Sequence, residues 1–435
     1  MNEERVDMTK EIAKRINQDF QIKKFSAYGF LKNLRFFEPY LVIYLMGIGL
    51  GLFEIGLLYS IREIVTYIFE IPSGIIADYH GRKKELYMCF SFYIVSFIIF
   101  FFADRFAIAA IAMFCFGLGE AFRSGTHKAM IYTYLEKQGL YAYKAYVYGR
   151  TRSYSLKGSA LSALLSIIII LNVPSSRYIF LITTIPYILD FINVATYPAY
   201  LDASGKKKEG KLSHSIVHHV GGIFTNKVLR DILLTTGFFQ AVYKSSKDLI
   251  QPILEGLILS SGVVVIAKFS GDDNVKIILG LSYAIIYIIS AYAAKNTYRL
   301  KKYWSGTKIL DLGFMAMAII MIIIAVAIEL NVYVLIIMAF LLMHVVVDLR
   351  KPIYVDVVDD YMEKDKRATV LSIESQITAL SVVIMAPLIG FVADHFGIQT
   401  VMILLSAVLL MIILFFSTSK YAKDSKNNHS KENTN

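Results

Sequence analysis

Runs of apolar residues, each about as long as a helix needs to cross a bilayer, recur along the whole chain. A helix rises about 1.5 Å per residue, so about 20 residues span the ~30 Å hydrocarbon layer. Twelve such runs lie near residues 36–54, 55–76, 86–103, 106–132, 153–172, 178–200, 231–259, 276–294, 309–328, 332–357, 368–392 and 398–417. Composition agrees: 56% of the 435 residues are hydrophobic and 18% charged, against about a quarter charged in soluble domains. Inside hydrocarbon no water reaches the backbone, so each run must satisfy its own N–H and C=O groups as a helix. The expected fold class is all-α, a polytopic membrane protein of twelve transmembrane helices.

The net charge of +11 raises the question of nucleic acid, but its distribution answers no. With both termini cytoplasmic, the segments on that side (1–36, 77–86, 133–152, 201–230, 295–308, 359–367 and 418–435) hold 33 Lys and Arg. The opposite loops hold only Arg105, Arg177, Lys268 and Lys276. This asymmetry sets orientation under the positive-inside rule, and the basic segments meet the lipid bilayer at its headgroups. Residues 1–35 are hydrophilic and lack the apolar core of a cleavable signal peptide, so the first apolar run is expected to direct insertion. Cys89 and Cys115 both fall in apolar runs, which suggests neither a disulfide framework nor a metal cluster. No cofactor is implied. Richness in Ile, Lys, Asn and Tyr suggests an AT-biased prokaryote and hence a plasma (inner) membrane.

Five regions follow: a cytoplasmic segment 1–35, six-helix halves at 36–200 and 223–418, a linker at 201–222 and a tail at 419–435. Residues 5–35 are amphipathic and are expected on the inner membrane surface. The linker, "LDASGKKKEGKLSHSIVHHVGG", is polar and basic, and His214, His218 and His219 read there as a solvated loop. Internal repetition supports two halves. "YLEK" at 134–137 matches "YMEK" at 361–364 at the offset that pairs Arg123 with Arg350. Arg150, Ser155 and Lys157 match Arg367, Ser372 and Glu374 at a nearby offset.

Between the second and third runs the chain reads "SGIIADYHGRKK", residues 73–84. Gly81 suits a turn of positive φ. Asp78 needs a cation or a helix N-terminus, and Arg82, Lys83 and Lys84 meet headgroups or that carboxylate. This stretch resembles the signature of the major facilitator superfamily, Gly-x-x-x-Asp-x-x-Gly-Arg-Lys, matched by Gly74, Asp78, Gly81, Arg82 and Lys83 at the expected place in a twelve-helix chain. The resemblance covers residues 33–418. It implies two six-helix halves around a substrate path, with Asp78 and Arg82 forming a latch that closes the cytoplasmic side. A near-copy, "IGFVADHFG" at 389–397, lacks the basic residues and is expected to be an ordinary turn. The positional counterpart of the loop, residues 293–308, is basic but has lost the Gly-x-x-x-Asp part.

Eight cations remain inside the runs: Arg62, Arg123, Lys128, Lys157, Lys244, Lys247, Arg350 and Lys351. Charges in hydrocarbon are costly and face a cavity or a partner. In the seventh run Gln240, Lys244, Lys247, Asp248, Gln251 and Glu255 share one helical face, a stripe about 22 Å long. The fourth run presents Glu120, Arg123 and His127; the tenth, His344, Asp348 and Lys351; the second, Tyr59, Glu63, Thr66 and Glu70. Internal pairing, such as Lys244 with Asp248 or Glu120 with Arg123, competes with a water-filled path, and the two can coexist. By the resemblance, the first, fourth, seventh and tenth helices surround the substrate. Glu120, Arg123, His127, Lys244, Lys247, Asp248, Asp348 and Arg350 are then candidates for substrate or coupling, and Glu63, Glu70, Lys157 and Glu374 for gating. Gly47, Gly49 and Gly51 suit close helix approach, and Ser155, Ser159, Ser162 and Ser166 suit packing.

No nucleotide-binding loop or hydrolytic triad is visible, so the chain is read as a non-enzymatic, monomeric secondary active transporter of a small organic molecule. The partners implied are a small-molecule substrate and a proton or other coupling ion. His127 and His344 could relay protons. Efflux is slightly preferred, although the fifth run, "GSALSALLSIIIIL", lacks the Gly-Pro-x-x-Gly-Gly stretch of drug–proton antiporters. The alternative is uptake of an anionic or zwitterionic solute contacting Lys244 or Lys247, because cations outnumber acids at mid-depth. A non-transporting sensor or membrane-embedded enzyme is the remaining class; it calls for a reactive cluster or soluble domain that the sequence does not display.

Overall fold

A computed structural model describes residues 10–123, 125–202, 227–261, 269–362 and 367–418. Among these, all regular structure is helical. In chain order the helices are α1 (Lys10–Gln18), α2 (Phe20–Leu31), α3 (Leu41–Gly47), α4 (Leu52–His80), α5 (Arg82–Phe102), α6 (Phe106–Arg123), α7 (Thr126–Lys137), α8 (Lys144–Asn172) and α9 (Tyr178–Ala195). Then follow α10 (Lys227–Ser246), α11 (Ile250–Ser261), α12 (Gly271–Asn296), α13 (Gly306–Glu329), α14 (Tyr333–Asp359) and α15 (Arg367–Phe416).

Eight helical stretches among the described residues are long and apolar enough to cross a membrane. The last lies in α15, where Gly397 sits at φ 84°, ψ 158°. No helix interior adopts those angles, so α15 carries both of the last two expected runs. The other three expected runs are charged or interrupted: 36–54, which covers α3 and the start of α4, 55–76 in α4, and 231–259, which covers α10 and α11. Large apolar side chains such as Ile168, Ile384 and Leu414 are exposed, as suits an exterior facing lipid.

The chain forms two compact units, Met1–Tyr44 with Ile64–Lys208, and Leu45–Glu63 with Glu209–Asn435. This division differs from the expected halves by placing residues 45–63 with the second unit. In the first unit α5 packs against α6 and α9, and α2 against α8 and α9. Aromatic rings fill its core, with Phe97 edge-on to Tyr187 at 4.9 Å and Phe100 stacked on Phe180 at 4.9 Å. In the second unit α10 packs against α15, and α13 against α14 and α15. Leu233, Leu310, Val358 and Val370 are fully buried there.

Two expectations are corrected. Residues 20–31 do not lie on a membrane surface: α2 buries Ile22, Phe25, Ser26, Tyr28 and Gly29. Small residues at its crossing with α8 allow this. A Cβ on Gly29 would stand 2.7 Å from Ser155 Oγ and 2.9 Å from the Thr151 carbonyl, and one on Gly158 would strike the Phe30 carbonyl. The serine stripe belongs to this packing: Ser159 donates to Asn33 at 3.4 Å and Ser166 to Tyr40 at 3.3 Å. Of the glycines expected to allow close helix approach, Gly51 does so, since a Cβ on it would stand 3.0 Å from Asp394 Oδ2. Gly47 and Gly49 instead have open space around them, and Gly49 takes φ +92° in the turn between α3 and α4.

Replacing Gly158 with Val is expected to destabilise the protein by about 1–3 kcal/mol, the usual effect of overpacking. Gly47→Ala should be neutral. Melting of the purified variants checks both; equal melting temperatures for Gly158→Val and the native chain would contradict the close crossing.

Candidate functional site

The signature loop forms where α4 stops and α5 starts. Gly81 takes φ +99°, the conformation the sequence anticipates there, and a Cβ on it would come 2.5 Å from Asp202 Oδ1. The Lys83 backbone N–H donates to Asp202 Oδ1 at 2.7 Å. Asp202 thus caps α5, where an acid also faces the positive end of the helix dipole. Lys83 Nζ donates to the carbonyls of Ala195 (3.0 Å) and Tyr197 (2.9 Å), and Arg82 Nη1 to Thr133 Oγ1 (2.9 Å). A Cβ on Gly74 would meet nothing within 4 Å, so packing does not require glycine there. Asp78 lies in α4, but its side chain falls outside the described ones. The sequence context places Asp202 in the linker, and His214, His218 and His219 of that linker lie outside the described residues.

The near-copy at 389–397 is more than a turn. Asp394 accepts from the backbone N–H groups of Leu52 (2.9 Å) and Phe53 (2.8 Å) at the start of α4. Without basic residues it still performs the acid's task of receiving a helix N-terminus.

In the first unit Glu120 sits between two arginines. Arg35 Nη2 donates to its Oε1 at 2.7 Å, and Arg123 Nε to its Oε2 at 3.2 Å. Arg35 also donates to Tyr187 Oη at 3.0 Å and lies over the rings of Tyr93 and Phe116. The sequence links Glu120 to Arg123 by spacing, but nothing local links either to Arg35. His127 stacks on Tyr28 with centroids 3.6 Å apart, and its Nε2 lies 3.2 Å from Tyr197 Oη. It is part of an aromatic layer as well as of the α7 face. Lys157 is exposed beside the Tyr154 ring, and Glu70 is half-buried on α4.

In the second unit Glu63 accepts from Arg62 Nη2 (2.9 Å) and Lys244 Nζ (3.3 Å). Asp248 accepts from Lys247 Nζ (2.7 Å), Tyr59 Oη (3.1 Å) and Tyr283 Oη (3.0 Å). The structure therefore brings the two lysines to carboxylates, and Lys244 pairs with Glu63 rather than with Asp248. The expected continuous stripe is also broken. Residues Lys247–Leu249 form a 3-10 turn between α10 and α11. Pro252 explains it: lacking an N–H, it frees the carbonyl four residues back and crowds that turn. Gln251 is buried and donates to Tyr283 Oη at 3.0 Å.

Arg350, expected on the path, is packed in the core instead. It is 2% exposed, lies over the rings of Phe239 (4.2 Å) and Phe314 (4.9 Å), and donates to the Leu310 carbonyl and Thr236. Gly313 leaves it room, since a Cβ there would stand 3.0 Å from Arg350 Cδ. Asp348 is half-buried on α14, and Glu374 accepts from Thr378 at 3.2 Å within α15. Among the described residues no three His, Cys, Asp or Glu group as a metal site.

Comparison with known proteins decides the family. The model of the Major Facilitator Superfamily matches residues 30–373. The chain belongs to the Major Facilitator Superfamily. It is 23% identical over 399 residues to the uncharacterized MFS-type transporter YxaM of Bacillus subtilis (strain 168), covering 89% of this chain and 92% of that one. Its fold matches the nucleoside transporter NupG with a TM-score of 0.73 at 13% identity, over 93% of this chain and 100% of that one. It also matches a D-xylose-proton symporter with a TM-score of 0.69 at 14% identity, over 92% and 98%.

As a superfamily member the chain is a multi-pass membrane transporter, not an enzyme. Its described chemistry fits. Glu120, Glu63 and Asp248 each meet a cation, which is what keeps an ionised group tolerable in a low dielectric. Nothing in these groups resembles a nucleophile poised beside a base.

Asp202→Ala removes the cap from α5. It is expected to lower stability by about 1 kcal/mol, read as a lower melting temperature of the purified protein. A variant as stable as the native chain would show that Asp202 does not hold the loop.

Proposed function

We propose that the chain moves a small organic solute across the plasma membrane by alternating access, coupled to protons, as a monomer with both termini cytoplasmic. The observation that carries the reading is Glu63, a carboxylate 8% exposed, held by Arg62 from its own helix and by Lys244 from α10. While Arg62 and Lys244 flank it the carboxylate stays ionised. It takes up a proton once Lys244 has moved away, and releasing that proton restores its hold on Lys244. Protonation and helix contacts are thereby linked, as a population shift between two conformations requires.

In this scheme Glu120, Arg123, His127, Lys247, Asp248 and Asp348 border the polar path, while Arg350 is a core residue. Glu70, Lys157 and Glu374 take gating positions. Asp78 and Arg82, set by Gly74, Gly81 and Lys83, form the latch. Export is the first direction, resting on its frequency in the superfamily. Uptake of a small anionic or zwitterionic solute is the second: a D-xylose-proton symporter shares the fold and works in that direction, while the solute's charge rests on Lys244 and Lys247.

The test uses the full chain in proteoliposomes holding a pH-sensitive dye, with solutes first selected by the rise they cause in melting temperature. The native chain is expected to move protons only when a selected solute is present, and the sign of the pH change reads the direction. Glu63→Gln should keep the solute-induced melting shift and lose the proton flux. Solute movement indifferent to a pH gradient in the native chain would overturn proton coupling.

A further inference from the structure

A cavity of about 230 Å³ opens within the first unit, among α2, the end of α6, α7 and α8. Its wall carries Lys32, Arg123, Lys128, Arg152 and His127, and among the described residues no aspartate or glutamate lines it. Arg123 has its acid in Glu120. For Lys32, Lys128 and Arg152, no carboxylate lies within ion-pair distance among the described residues. Rings stand beside two of them instead: Lys32 lies over Tyr28 at 5.6 Å and Lys128 over Tyr148 at 5.3 Å. Tyr28 lines the same wall, is 3% exposed, and its hydroxyl has no hydrogen-bond partner among the described residues.

Like charges gathered around one small space repel, and low-dielectric walls concentrate their field on whatever enters. An anion offsets that repulsion. The donors present are those that suit an oxyanion: the planar fork of Arg152, two ammonium groups and a hydroxyl. Size narrows the class. At about 30 Å³ per water the space equals roughly seven or eight waters, enough for one tetrahedral anion and a few further atoms. It falls short of the ~300 Å³ at which pockets for whole drug-sized molecules begin.

We propose that this cavity binds a phosphate group, through Lys32, Lys128 and Arg152 with the Tyr28 hydroxyl. The group can come from a soluble phosphate or from the headgroup of an anionic phospholipid, since Lys128 and Arg152 are exposed. The site lies wholly in the first unit and is independent of Glu63, so it does not rest on the transport scheme.

Calorimetric titration of the purified full chain, in a neutral detergent, tests it. Inorganic phosphate is titrated at constant ionic strength into the native chain, Arg152→Gln and Lys128→Gln. Phosphatidylglycerol is titrated in a second arm, with phosphatidylcholine as its control. Both variants remove exposed side chains without an acidic partner among the described residues and are expected to fold, which their melting curves check. Saturable binding of phosphate, weakened about tenfold or more by each substitution as for loss of a charge-assisted hydrogen bond, supports a soluble ligand. Binding of phosphatidylglycerol alone, weakened likewise, supports a headgroup. If neither probe binds, or if variants and native chain bind equally, the proposal is wrong.

Discussion

Glu120 and its two arginines set the terms for the first unit. An isolated charge in hydrocarbon is costly, and removing one member of a buried pair costs about 3–5 kcal/mol. Arg35 follows α2, Glu120 and Arg123 end α6, and the rings of Tyr93, Phe116 and Tyr187 close around Arg35. The charge network therefore fixes how α2, α5, α6 and α9 meet. The close crossing of α2 with α8 at Gly29 and Gly158 then brings Lys32, Arg123 and Arg152 to one cavity.

The second unit solves the same problem differently. Asp248 is held where helix continuity is interrupted, at the turn Lys247–Leu249, and Glu63 by Lys244 in the last turn of α10 just before it. Residues 45–63 enter this unit through two backbone devices. Asp394 receives the first N–H groups of α4, and Ser60 donates to the Val383 carbonyl at 2.8 Å. Acids at helix starts recur, with Asp202 at α5 and Asp394 at α4. Each acid answers the unpaired N–H groups of a helix that begins without a Ser, Thr or Asn cap.

Much of this is legible in the sequence because hydrophobic length is a local signal. The apolar runs, the positive φ of Gly81 and the pairing of Glu120 with Arg123 all follow from residues near one another. The α2 helix is not legible, since Lys23 and Lys24 mask a buried face made of Ile22, Phe25 and Tyr28. Arg35 stands 85 positions from Glu120, and no periodicity reaches that far. The break in the seventh run is visible in Pro252, whose effect on the preceding turn outweighs the regular spacing of the polar face. Arg350 misleads for a related reason: a charge in an apolar run looks like a path residue until aromatic neighbours from α10 and α13 are seen around it.

The first unit depends on Glu120 being shared by Arg35, from the segment after α2, and Arg123, at the end of α6. A double-mutant cycle of Arg35→Gln and Glu120→Gln, read by melting of the purified protein, tests it most directly. Each single change is expected to be destabilising, and the double change to cost less than their sum by more than about 1 kcal/mol, as for groups in one network. Losses that add to within about 0.5 kcal/mol, the behaviour of independent sites, would contradict it.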